Sequence, residues 1–89
     1  MKAILTVIGR DKVGIVAGVS QELAVLGINI LDVSQTIMGE NFTMMMMCDL
    51  GKTQKEFSEI KEALNKKGEE LGVNITIQRE EIFDAMHKL

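Results

Sequence analysis

The chain has 89 residues, the length of one domain near the lower end of what folds alone; 46% of them are hydrophobic and only 3% aromatic. Its core must be aliphatic and rich in methionine, and so apolar a small domain is expected to bury part of its surface in an oligomer. A net charge of −3 gives no electrostatic footprint for nucleic acid or an anionic membrane, and Cys48, the single cysteine, excludes an internal disulfide and suits a reducing cytosol.

Residues 2–8 predict a strand with Ala3, Leu5 and Val7 on one face and Ile4, Thr6 and Ile8 on the other. Both faces are largely apolar, so the strand is expected at the centre of a sheet. The same run looks like a short signal segment, but Gly9-Arg10-Asp11 ends it, no cleavage site follows, and no run reaches membrane-spanning length. A cytoplasmic protein is expected. Residues 14–26 predict a helix, with Ile15, Val16, Val19, Leu23 and Leu26 at helical spacing and Gly27 where a left-handed C-cap is needed. Residues 28–38 predict a second strand. Ile28, Ile30 and Val33 cannot share a face there without a bulge near Leu31-Asp32.

Met38-Gly39-Glu40-Asn41 predicts a hairpin turn into a third strand, 42–50, with Phe42, Met44, Met46, Cys48 and Leu50 on one side. Thr53-Gln54-Lys55-Glu56 has capping-box spacing and is expected to open a second helix, with a buried stripe of Phe57, Ile60, Leu64, Gly68 and Leu71 and a stop at Gly72. A glycine in such a stripe costs roughly 1 kcal/mol against alanine, which makes sense if another backbone packs closely there. Val73, Ile75 and Ile77 alternate with Asn74, Thr76 and Gln78 in a half-buried fourth strand. Residues 80–88 predict a short terminal helix, with Glu80 and Glu81 at its positive end and Ile82, Phe83 and Met86 on one side.

The order βαββαβ plus a tail helix predicts an α+β, ferredoxin-like sandwich: a four-stranded antiparallel sheet with both main helices on one face. It forms one domain, with a core over 2–79 and the tail over about 80–88. The second strand falls at an edge of the sheet, where pairing with another subunit is invited. The second sheet face carries Ile4, Ile8, Met45 and Met47, and either the tail helix or another subunit's sheet could cover it.

Gly9 and Gly14 have the spacing of a phosphate-binding P-loop, but Ile15-Val16 stand where lysine and a hydroxyl are needed, so nucleotide hydrolysis fails. What is left is a turn of glycines and charges entering a helix, whose free N–H groups suit a small anionic group. Asp11 either caps that helix or accepts a ligand ammonium. Gly14 either relieves the turn or keeps side-chain bulk away from the N–H groups. Asn29 is either a turn former or an amide suited to a zwitterion. Alternation splits Met44-Met45-Met46-Met47 into two pairs on opposite faces, which reads as core filling rather than copper binding.

Cys48 and the lone His87 make neither a metal cluster nor a catalytic dyad, and no metal, cofactor or catalytic residue is expected. The central strands lack the aromatic side chains of an RNA-binding sheet. Arg10 and Asn41 are loosely placed for an acylphosphatase-type site, but the surrounding loop pattern does not fit.

Thr6 to Val16, then Gly27-Ile28-Asn29-Ile30, Asp32-Val33-Ser34-Gln35-Thr36 and Ile82-Phe83-Asp84-Ala85-Met86, together resemble an ACT domain, specifically the small stand-alone UPF0237 family. ACT domains commonly read Asp-Arg-Pro-Gly at the first turn, whereas this chain has Asp11-Lys12-Val13-Gly14, and losing the proline loosens that turn. The resemblance implies a homodimer or higher homo-oligomer, paired through the edge of the second strand, that binds an amino acid between subunits. Asp11, Gly14, Ile15 and Val16 of one subunit would form one wall, Asn29 and Ile30 of its partner the other, with Gln35 farther along. The expected function is a regulatory, amino-acid-binding module that acts on an unidentified protein target. The alternative is a structural interaction module that has lost the pocket.

Overall fold

A computed structural model of the chain describes residues 1–10 and 14–87. Its elements are β1 (Lys2–Arg10), α1 (Ile15–Val25), β2 (Asn29–Met38), β3 (Asn41–Asp49), α2 (Phe57–Leu71), β4 (Asn74–Arg79) and α3 (Glu80–His87). The four strands form one antiparallel sheet in the order β2-β3-β1-β4, the ferredoxin-like arrangement that the element order predicts. Among the described residues no helix is long and apolar enough to cross a membrane.

Strand alternation builds the core in rows. Leu5 of β1 lies between Met46 of β3 and Ile77 of β4, and Val7 lies between Met44 and Ile75. Onto these rows α1 sets Ile15, Val19 and Leu23, and α2 sets Ile60 and Leu64, all buried. The methionine run divides as its spacing demands: Met44 and Met46 are buried, Met45 is exposed and Met47 half-buried on the opposite face.

The bulge in β2 falls between Ile30 and Asp32. By slipping the register one residue there, it puts Ile30 opposite Cys48 and Val33 opposite Met46, on the helix-bearing face. At the end of α1, Gly27 has φ 75°, and the Ile28 and Gly27 N–H groups donate to the carbonyls of Leu23 and Ala24 at 2.9 and 3.1 Å. Gly68 meets the backbone its position implied: a Cβ there would lie 2.8 Å from the Val73 carbonyl oxygen.

The capping box is not formed. α2 starts at Phe57 with Glu56 as its N-cap and no side-chain cap hydrogen bond. The Thr53 hydroxyl donates instead to the Leu26 carbonyl at 2.6 Å, while accepting the Lys55 N–H at 3.2 Å. Leu26 is the C-cap of α1, and its carbonyl, which has no intrahelical donor, takes the hydroxyl.

Among the described residues the second face of the sheet is covered at one end only. Ile4 is buried there, beside the strand ends that α3 joins, and α3 packs against β1 and β4. Ile8, two turns of the pleat away, is 50% exposed.

Candidate functional site

The loop between β1 and α1 ends at Gly14, the N-cap of α1, with φ 91° and ψ −1°. An L side chain is strained in that left-handed conformation. A Cβ at Gly14 would have no heavy atom within 4 Å, so the glycine fronts open space. Among the described residues no side chain caps α1, and its first turn carries no acidic residue. The leading N–H groups therefore keep their positive partial charge uncompensated by this chain's described side chains.

Around this helix start the expected wall residues divide. Ile15 is 2% exposed and belongs to the core, so only its N–H can serve a ligand, whereas Val16 is 38% exposed and flanks the opening. Asp11 lies outside the described residues. Gly9 is not part of the turn at all. It pairs with Phe42 inside β1, and a Cβ there would stand 2.7 Å from a methyl of Val73. The two glycines of the P-loop-like spacing thus do different work: Gly9 admits a neighbouring side chain, and Gly14 opens the helix start.

The facing wall is elsewhere. Asn29 opens β2, exposed and opposite Asp49; Ile30 is half-buried against the core; Gln35 is exposed, opposite Met44. β1 and β2 are both antiparallel to β3, so α1 runs back between their opposite ends. Its 11 residues put Asn29 about 16 Å from the loop along the helix. Gln35 lies toward the loop end. Within one chain, then, the structure brings Gly14, Val16 and Gln35 to the same end of the domain and leaves Asn29 and Ile30 at the other. Clefts of about 290, 210 and 420 Å³ are lined by other residues.

The outer strip of β2 holds what the motif reading passed over. Leu31, Val33 and Ile37 are 46%, 40% and 56% exposed along a strand that, among the described residues, pairs only with β3. Strand alternation alone assigns Val33 and Ile37 to the core face. Only the edge position, beyond the reach of the helices, leaves them uncovered. Cys48 is inert by contrast: burial pushes its thiol up to about 11, which removes the thiolate a nucleophile or metal ligand needs. Among the described residues no group of His, Cys, Asp and Glu could hold a metal ion.

A family model for the ACT domain matches residues 2–78. The chain belongs to the ACT domain family. Within it, a UPF0237 protein of Listeria innocua is 70% identical over 89 residues, covering 100% of both chains. Among solved structures, an ACT domain protein from Streptococcus pneumoniae is 47% identical with a TM-score of 0.84, each chain covered to 98%. The ligand-free regulatory subunit of aspartate kinase from Thermus thermophilus is 28% identical with a TM-score of 0.66, over 86% of this chain and 50% of that one. ACT domains are regulatory ligand-binding modules.

Proposed function

We propose that this ACT domain is an amino-acid sensor that works as a homodimer, with the ligand held between subunits. The observation that carries this reading is the separation of the two half-sites along α1, next to a strand edge that is apolar and open. Antiparallel pairing of β2 with the β2 of a second copy, about a two-fold near Asp32, would set the partner's Asn29 opposite Gln35 and hence toward the Gly14 end. The ligand carboxylate then meets the N–H groups that open α1. The amide oxygens of Gln35 and of the partner's Asn29 accept from its ammonium, and Val16 borders its side chain. Likeness to the regulatory subunit of aspartate kinase supports a regulatory role. Ligand binding across the pair favours one arrangement of the subunits, and an unidentified protein target reads that shift.

Thermal-shift and calorimetric screening against the standard amino acids at millimolar concentration tests this reading. At least one should raise the melting temperature, and Gly14→Val should abolish the rise while the dimer persists in sedimentation. If no amino acid stabilises the protein, the sensor reading falls and a purely structural interaction module takes its place.

A further inference from the structure

The opposite edge of the sheet carries a groove that the regulatory reading does not use. Among the described residues β4 pairs with β1 alone, and α2 lies along it. Between them runs a groove of about 290 Å³ lined by Lys61, Leu64 and Asn65 of α2 and by Ile75, Thr76, Ile77 and Gln78 of β4. The three α2 residues share one helix face. The four β4 residues are consecutive and so belong alternately to both faces of the sheet. A cleft above or below the sheet would touch every second residue, whereas one that touches all four runs along the outer edge of the strand.

The chemistry of this groove suits an extended polypeptide. Its floor is apolar, with Leu64, Ile75 and Ile77 all under 5% exposed, and Asn65 and Thr76 stand exposed on its rim. A compact apolar ligand seated there would bury the strand's outward backbone groups without partners, at a cost in free energy. A strand brings its own N–H and C=O groups in register. Charge sets the rest. Among the described residues Lys61 is the single charged one lining the groove, and Arg79 follows Gln78 at the same end. Both cations lie over the Phe57 ring, with Lys61 Nζ at 5.9 Å and Arg79 Cζ at 5.3 Å from its centroid. In a chain of net charge −3, this end of the groove favours a carboxylate. A second copy fits less well, because copies paired at both β2 and β4 would propagate an open sheet.

We propose that the β4–α2 groove docks an extended segment of another protein, which adds as a fifth strand beside β4 and sets an acidic side chain against Lys61 and Arg79.

A displayed library of short random linear peptides, selected on the full chain, tests this. The enriched sequences should share an acidic residue at a fixed distance from alternating aliphatic or β-branched residues. A synthetic peptide of the selected sequence should lose about tenfold in affinity on Lys61→Glu, keep it on Lys61→Arg, and be indifferent to Val33→Lys on β2. The proposal is overturned if no sequence is enriched, if the selected peptides ignore Lys61→Glu, or if Val33→Lys displaces them. It is equally overturned if Lys61→Glu dissociates the protein's own oligomer in sedimentation, since the groove would then join two copies of this chain.

Discussion

β2 and β4 are both edge strands, yet the chain treats them differently. α2 lies along β4, close enough that only a glycine fits at position 68, whereas β2 meets β3 and little more than the end of α1. The exposed residues differ to match. β4 turns Ile75 and Ile77 inward and shows Asn74 and Thr76 to solvent, while β2 exposes Leu31, Val33 and Ile37. This edge has neither proline nor lysine, and the exposed Asp32 is its one charge, so its protection against pairing is slight. β2 thus leaves apolar side chains uncovered at its edge, whereas β4 has its inward face braced by its own helix.

Charging the open edge should produce the largest effect. Val33→Lys with Ile37→Lys is expected to weaken self-association about 100-fold, or about 2.7 kcal/mol, by placing like charges in an apolar seam. Both positions are exposed in the single chain, so the denaturation midpoint of the monomer should barely move. Sedimentation equilibrium measures the first quantity and urea unfolding the second. An unchanged association constant would remove β2 as the dimer seam.

Bracing at β4 fails through Gly68. Alanine there gains roughly 1 kcal/mol in helix propensity, but its methyl would meet the Val73 carbonyl oxygen at 2.8 Å, and backbone cannot swing aside as a side chain does. Pushing α2 off β4 is expected to cost about 3 kcal/mol, for a net loss of about 2 kcal/mol in urea unfolding. A stabilised Gly68→Ala protein would show that the helix has room beside the strand after all. Thr53→Val is expected to cost about 1 kcal/mol by the same measurement, because the Leu26 carbonyl loses its 2.6 Å hydroxyl donor.

Wherever a single periodicity decides the matter, the sequence is transparent. Alternation alone separates Met44 and Met46 from Met45 and Met47, the misfit of Ile30 and Val33 locates the bulge, and a glycine inside the α2 stripe foretells the close backbone at Val73. It is opaque where two partners compete or where distant elements align. Capping-box spacing at Thr53 carries no information about the Leu26 carbonyl 27 residues earlier, which takes the hydroxyl. Gly9 and Gly14 look like one turn, and only the tertiary position of Val73 separates their tasks. The candidate site is half legible for the same reason. Its motifs stand out, but that Gly14 and Asn29 sit at opposite ends of α1 follows from the path of the chain through three dimensions. The Lys61-to-Asn65 groove has no local signature, since it arises from how α2 lies along β4.

The smallest expected effect concerns Cys48, which sits on β3 opposite Ile30 of the open edge strand. Burial raises its thiol from 9.0 to about 11. The unfolded chain therefore releases the thiol proton at lower pH than the native one, and alkali favours unfolding through this group. Its contribution is constant below about pH 9, declines as the pH climbs through the window between 9.0 and about 11, and is gone above it. Lysines titrate in the same range, so the measurement is the difference between the native protein and Cys48→Ala in urea unfolding at successive pH values. The native protein should lose ground to the variant only above pH 9. A difference that stays flat to pH 11 would mean that the thiolate is solvated in the native state, and hence that the seam between β2 and β3 opens to water even where the core rows are closed.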